Sequence, residues 1–385
     1  MPGSSPAPSV RVVATTSGLR ALVAGAGIAG LATARALDRI GCHVEVVERE
    51  PDWGEPGTGI YLPGNAARAL RALGLEKQVV ERAAVVPRQR FSDHRGRPLV
   101  EIDVTGMWRG VGPCLALPRS ELHAVLLEGA RDVTIRMGVE VVELRQQGAT
   151  VSAGFSDGGA GEYDLAVGAD GIHSATRRLA FGADAVVRPA GQLGWRFVAE
   201  PAAELDTWSV MLGRQTAFLT IPIGRGRVYC YCDVGLRSVG DGESELPSLF
   251  ADFAEPVPSL LESVARRGPV HRSTIEEVAL DSWVRGRVLL IGDGAHATSP
   301  NMAQGAAMAL EDALVLPEYL ERSNSIPGAL AAFEARRRPR TDWVRAQTHR
   351  RDRTRYLAAP VRNALLRTLG RKIFHANYRP LLAEP

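Results

Sequence analysis

Three short apolar runs, each ending in a turn built on glycine, constrain this chain's fold more than any other feature. Leu22-Val23-Ala24 runs into Gly25-Ala26-Gly27-Ile28-Ala29-Gly30 and then a strongly helical stretch, Leu31 to Leu37. Leu165-Ala166-Val167-Gly168 runs into Ala169-Asp170-Gly171-Ile172-His173-Ser174, and Val288-Leu289-Leu290-Ile291 into Gly292-Asp293-Gly294-Ala295-His296. Short buried strands that end this way belong to open α/β sheets, which bind ligands outside the carboxyl ends of their strands.

The first turn has the context that a dinucleotide motif requires, a strand before it and a helix after it. Gly25 permits the tight turn, Gly27 lets a pyrophosphate approach the backbone, and Gly30 lets the helix pack close to the strand. The free N–H groups of the helix start, around Ile28 and Ala29, then face the phosphates. Further on, the strand Val44-Glu45-Val46-Val47 ends in Glu48, followed by Arg49. A carboxylate there accepts hydrogen bonds from a ribose diol and repels a 2′-phosphate, which favours the AMP half of FAD or NAD over NADP.

A glycine-bearing loop, Gly57-Thr58-Gly59, precedes a helical run from Ala66 to Leu73. Arg119 opens another helix, where a cation is unfavourable for the helix dipole and so reads as functional. A strand is expected from about Thr134 to Leu144, with Val141 a candidate for contacting adenine. Asp293 at its strand end can reach a polyol laid across the sheet edge. The loop from Pro300 then feeds a helix whose first amides, Gln304, Gly305 and Ala306, can face developing negative charge on a ring.

In this order and at these distances the motifs resemble the class A, para-hydroxybenzoate hydroxylase-like, FAD-dependent monooxygenases, over nearly the whole chain. The Met302-Ala303-Gln304-Gly305 form is similar to the branch containing salicylate and 6-hydroxynicotinate hydroxylases. The resemblance implies FAD as cofactor, with contacts at Gly25, Gly27, Ile28, Ala29, Gly30, Glu48, Arg49, Gly59, Arg119, Val141, Asp170, Asp293, Pro300, Gln304, Gly305 and Ala306. It implies NADPH or NADH as electron donor and O2 as co-substrate, with hydroxylation of an aromatic small molecule through a flavin C4a-hydroperoxide. Arg196 and Pro300 are the catalytic candidates, and Trp195, Tyr229 and Tyr231 the substrate-lining ones. Arg177 is expected to add charge near the phosphates. Epoxidation, Baeyer–Villiger oxygenation or a non-oxygenating flavin or NAD oxidoreductase stay open beside hydroxylation.

The expected fold is α/β plus β, a Rossmann-like FAD-binding domain interrupted by an inserted antiparallel sheet and followed by C-terminal helices. The boundaries are a disordered tail 1–18, FAD-binding segments 19–75, 105–182 and 283–340, substrate-domain segments 76–104 and 183–282, and a helical segment 341–385. A chain of 385 residues with 45% hydrophobic content exceeds what one compact core serves. The four cysteines are too few and too irregular for a disulfide framework, and Cys230 and Cys232, sharing one strand face without a second ligand pair, read as packing rather than metal binding. A net charge of +3 demands neither nucleic acid nor a membrane as partner, and the nine arginines from Arg336 to Arg355 read as solvated helix faces. With no signal peptide and no run of ~20 apolar residues, a cytoplasmic monomer or homodimer is expected.

Overall fold

The computed structural model describes residues 16–53, 58–182, 187–201, 205–236, 246–265 and 270–385. Residues 1–15 of the expected tail and Gly57 lie outside them. Residues 16–18 are part of the fold: the Thr16 hydroxyl donates to Ile40 O at 3.1 Å and Gly18 N–H to Gly41 O at 2.9 Å.

A six-stranded sheet carries the three turns, in the order Val284–Arg285, Val288–Leu290, Leu165–Gly168, Arg20–Ala24, His43–Glu48, Thr134–Met137. All neighbours run parallel except the hairpin of the first two. In register, Ala24 sits opposite both Gly168 and Val47, and Gly168 opposite Leu290. The strand ends are therefore level, and all three turns open along one edge. Helices Ile28–Asp38 and Gly305–Arg322 bury apolar faces in the same core as this sheet. Gly30 allows that approach, since a Cβ there would lie 1.8 Å from Gly25 O.

The expected strand 134–144 is two strands in different sheets. Gly138, at φ +70°, turns the chain after Met137, and Val141–Gln147 then pairs with Thr150–Phe155 in a three-stranded meander completed by Ala160–Tyr163.

The inserted sheet has seven strands, ordered His271–Val278, Val187–Ala199, Val228–Gly235, Thr216–Pro222, Trp208–Leu212, Arg88–Asp93, Pro98–Asp103. Only Trp208–Leu212 with Arg88–Asp93 is parallel. Side chains alternate across a strand, so this sheet has two different faces. Trp195, Phe197, Cys230 and Cys232 point into a separate core with Phe218, Phe250 and the helix Val257–Ala265, while Arg196, Tyr229 and Tyr231 point the other way, toward the six-stranded sheet.

Two boundaries differ from expectation. Helix Glu76–Arg82 puts Val79 into the main core with Leu70 and Leu122, so the crossing into the large sheet comes at Arg88, not at 76. No break falls at 340, because one helix runs from Ile326 to Thr354 through Pro339. The last helix, Ala359–Tyr378, lies against Pro98–Asp103, where a Cβ on Gly370 would come within 3.0 Å of Val100. Among the described residues no helix is long and apolar enough to cross a membrane.

Candidate active site

A cavity of about 820 Å³ lies between the edge that carries the turns and the inner face of the seven-stranded sheet. From the nucleotide side it is lined by Gly27, Ile28, Ala29, Gly59, Arg119, Asp293, Pro300, Gly305 and Ala306, and from the sheet by Arg196, Tyr229 and Tyr231. A second cavity of about 200 Å³ shares Gly27 and adds Gly25, Glu48, Arg49, Val141 and Asp170. Three sequence candidates line neither. Gly30 serves packing, and Gln304 is buried with its side-chain oxygen accepting from Asn65 Nδ2 at 3.0 Å. Trp195 is the third, and its expected place at the substrate is corrected by strand alternation, which turns it into the outer core.

The glycine turn combines a tight left-handed bend with open space beside it. Gly25, at φ +101°, adopts a conformation that L side chains rarely reach, and a Cβ there would lie 2.5 Å from Ala169 O. At Gly27 the position of a Cβ is open space, with no atom within 4 Å, on the wall of both cavities. Glu48 steadies the turn, accepting from the N–H of Ala26 at 2.8 Å and of Glu50 at 3.0 Å.

The two aspartates of the later turns do different work. Asp170 accepts from the Ser174 hydroxyl and, at 2.8 Å, from the Thr176 N–H, which pins the start of helix Ala175–Phe181. Asp293 is exposed toward the larger cavity. Arg177 departs from expectation: instead of facing phosphates it is buried and donates to Ile172 O and, at 3.0 Å, to Gly294 O, tying the second turn to the third. Burial lowers its pKa from the ordinary arginine value.

Helix Gly305–Arg322 begins at the cavity with no side-chain cap, and Ala303, at φ +49°, bends the chain into it. Its first N–H groups thus present an uncapped positive dipole end to the space beside Asp293. A buried ionic network fixes this helix. Asp312 accepts from Gly292 N–H at 3.0 Å and Arg337 Nε at 2.8 Å and lies 2.7 Å from His296 Nε2, and Glu311 accepts from Arg337 at 2.9 Å and Arg340 at 2.7 Å. Burial opposes the Asp312 charge, but His296 and Arg337 outweigh it and hold its carboxyl below the usual range. His296 supports the loop, as its place in the motif suggests.

On the sheet, Arg196 sits opposite Tyr231 on one neighbouring strand and His271 on the other. Its guanidinium donates to Ser273 Oγ at 2.8 Å and lies 5.2 Å from the Tyr231 ring centroid. Burial pushes the Tyr229 hydroxyl up, and the charges of Arg196 and Arg119 pull against it. Gly59 makes this proximity possible, because a Cβ there would lie 2.4 Å from the Tyr229 Cβ.

Sequence reasoning missed a polar wall supplied by the long C-terminal helix. Asp352 accepts from Gln192 Nε2 at 2.5 Å and Asn301 Nδ2 at 2.7 Å, and burial raises its pKa. Arg355 pairs with Asp233, whose charge overcomes the effect of burial and raises the guanidinium's pKa. Arg337, Arg340, Arg351 and Arg355 are thus largely internal groups, not parts of a solvated face. Only their position in a stretch with nine arginines signalled them, and that signal does not separate inside from outside.

The family described as an FAD binding domain matches residues 19–347, and the chain belongs to it. It is an FAD-dependent monooxygenase of the class A, aromatic hydroxylase kind. The chain is 34% identical to the 2-heptyl-3-hydroxy-4(1H)-quinolone synthase of Pseudomonas aeruginosa, over 94% of this chain and 96% of that protein. It is 29% identical to the 6-hydroxynicotinate 3-monooxygenase of Pseudomonas fluorescens, over 86% and 90%. Among solved structures, Klebsiella pneumoniae HpxO complexed with FAD and uric acid superposes with a TM-score of 0.86 at 28% identity, over 95% and 97% of the two chains. The residues present fit an FAD: open space at Gly27 for a pyrophosphate, the Glu48 carboxylate on the wall of the smaller cavity, and Asp293 with an uncapped helix start in the larger one.

Proposed function

We propose that this chain hydroxylates a heteroaromatic small molecule held against the inner face of the seven-stranded sheet, with NADPH or NADH as reductant. The balance is one O2 and one NAD(P)H plus a proton consumed per ring hydroxylated, giving NAD(P)+ and water. Bound FAD supplies the redox and oxygen chemistry, while the protein positions the ring and excludes water. Gly25, Gly27 and the helix start at Ile28 and Ala29 hold the pyrophosphate, with Asp170 fixing the neighbouring turn. Glu48, Arg49 and Val141 surround the adenosine. Asp293 would hold the ribityl chain, and the amides of Gly305 and Ala306 at the helix start would stabilise negative charge on the reduced flavin. Arg119, Gly59 and Pro300, on the wall of the same cavity, would complete the flavin's surroundings. Arg196, braced by Ser273 and Tyr231, orients an anionic or carbonyl-bearing ring beside Tyr229.

The supporting observation is the continuity of one cavity from Asp293, Gly305 and Ala306 to Arg196, Tyr229 and Tyr231. The test is a panel of 4(1H)-quinolones, uric acid and 6-hydroxynicotinate, assayed for ligand-stimulated NADPH or NADH oxidation and for one atom of labelled oxygen in the product. Protein that neither carries flavin absorbance nor rebinds added FAD, or NAD(P)H oxidation that no ring accelerates, would remove this reading.

A further inference from the structure

The cavity is much longer than a ring substrate needs, and its far half has a different chemistry. Arg196, Tyr229 and Ser273 stand on the first three strands of the large sheet. Beyond them the same cavity is lined by Leu219 and Ile221, then Trp208 and Val210, then Phe91, and finally Val100 and Ile102 on the seventh strand. From the strand of Arg196 to the strand of Ile102 is five neighbour spacings of about 4.8 Å, roughly 24 Å along the sheet. A bicyclic ring occupies about two of those spacings. The remainder is a mainly apolar arm, roofed by Leu365, Leu366, Ile373 and Phe374 of the last helix, with Arg362 and Asn377 of that helix also on its wall.

That helix also shows where the arm opens. Val361, Leu365, Leu369 and Ile373 recur every fourth residue and so form one stripe. Leu365 and Ile373 line the cavity, yet Val361, Leu369 and Ile373 are 59%, 42% and 37% exposed. The stripe is therefore an apolar rim continuous with an apolar interior.

Resting on the hydroxylation reading, we infer that the substrate is amphiphilic. Its heteroaromatic head lies at Arg196 and Tyr229, and a hydrocarbon tail lies in the arm between strands 88–103 and 208–222 and helix Ala359–Tyr378. Leu219, Val210, Ile102, Leu366 and Phe374 read tail length. The charged groups cluster at one end, and along the other four strands the lining is mostly apolar, with Gln89 and Thr216 as isolated neutral polar groups, which favours this occupant over a second charged ring or a peptide.

The test uses FAD-loaded enzyme and 4(1H)-quinolones carrying methyl, propyl, pentyl, heptyl or nonyl at carbon 2, with Kd from ligand fluorescence and KM from NADPH oxidation. Each methylene that enters the arm should lower Kd three- to fourfold, the ratio that about 0.8 kcal/mol per buried CH2 sets at 25 °C. Leu366→Trp should cut kcat/KM for the heptyl compound at least tenfold relative to the methyl compound. A Kd independent of chain length, no binding by any congener, or equal losses for both compounds in folded, FAD-loaded Leu366→Trp overturns the inference. Should that variant not retain FAD, the chain-length series on the natural enzyme decides alone. If tails bind in proportion to length but no quinolone is oxygenated, the hydroxylation reading falls for these rings and the tail arm stands.

Discussion

Gly27 and Gly30 belong to one turn, yet the structure assigns them opposite consequences when each is replaced by alanine. At Gly30 the added Cβ would lie 1.8 Å from Gly25 O, a backbone atom that cannot rotate away. The helix must move by more than an ångström, an overpacking of about 1–3 kcal/mol or more. At Gly27 the added methyl meets nothing within 4 Å, and φ −74°, ψ −170° is open to alanine. The lower entropy of the unfolded chain, about 0.4–1 kcal/mol in favour of alanine, offsets the loss of a good N-cap residue. Flavin-free Gly27→Ala should thus melt within about 1 °C of the natural protein, at roughly 1 °C per kcal/mol for a chain of this size. FAD tells the reverse story, because the methyl fills the space a pyrophosphate needs. A clash of about 1–3 kcal/mol corresponds to roughly 5- to 150-fold in Kd, read by quenching of flavin fluorescence on titration. Gly27→Ala that binds FAD as tightly as the natural protein would refute the placement of the pyrophosphate.

Four further outcomes are expected. Arg196→Ala should lower kcat/KM for the best ring substrate by tenfold or more while FAD Kd changes less than threefold; parallel losses would make Arg196 structural. Trp195→Phe should leave KM unchanged and lower stability by about 1–2 kcal/mol in urea unfolding, since its ring packs in the outer core. Asp312→Asn should destabilise the protein at pH 7 by about 3–5 kcal/mol, leaving Arg337 buried without one of its partners. Because the folded carboxyl is held below its unfolded value of about 3.9, the stability it contributes is present above that pH and is lost as pH falls through the folded value. The gap between the natural protein and the variant should therefore narrow in acid, and a gap that widens there would reverse the sign. Asp293→Asn should weaken FAD binding at unchanged flavin-free stability, whereas Asp170→Asn should lower both, as the melting temperatures of flavin-free samples will show.

What was legible in the sequence was what is decided locally. A glycine that must reach φ +101°, or an apolar run ending in Gly-Asp, shows itself within a few residues, and the level strand ends follow once those runs pair in parallel. Trp195 and Arg196 mark the limit. Adjacent strand residues face opposite ways, so both could not line one cavity, and which one does is settled only by pairing, Trp195 opposite Cys232 and Arg196 opposite Tyr231. The alternation Tyr229-Cys230-Tyr231-Cys232 held half of that answer, since buried thiols mark the core face. The C-terminal arginines lay further out of reach, because their buried partners, Glu311, Asp312 and Asp233, are distant in the chain.

The two Asp-Gly turns look alike as sequence, and the fold separates them through what each carboxylate already holds. Each Asp170 oxygen already accepts one hydrogen bond, from Ser174 or Thr176, so part of its work is to set a helix whose Arg177 then braces the third turn. In that third turn the structural load falls on Asp312, which takes the Gly292 N–H and approaches His296, and Asp293 is left facing the cavity. A ligand-binding carboxylate needs a fixed position and lone pairs to spare. Supplying the rigidity from a neighbouring buried acid leaves the Asp293 carboxylate exposed to the cavity.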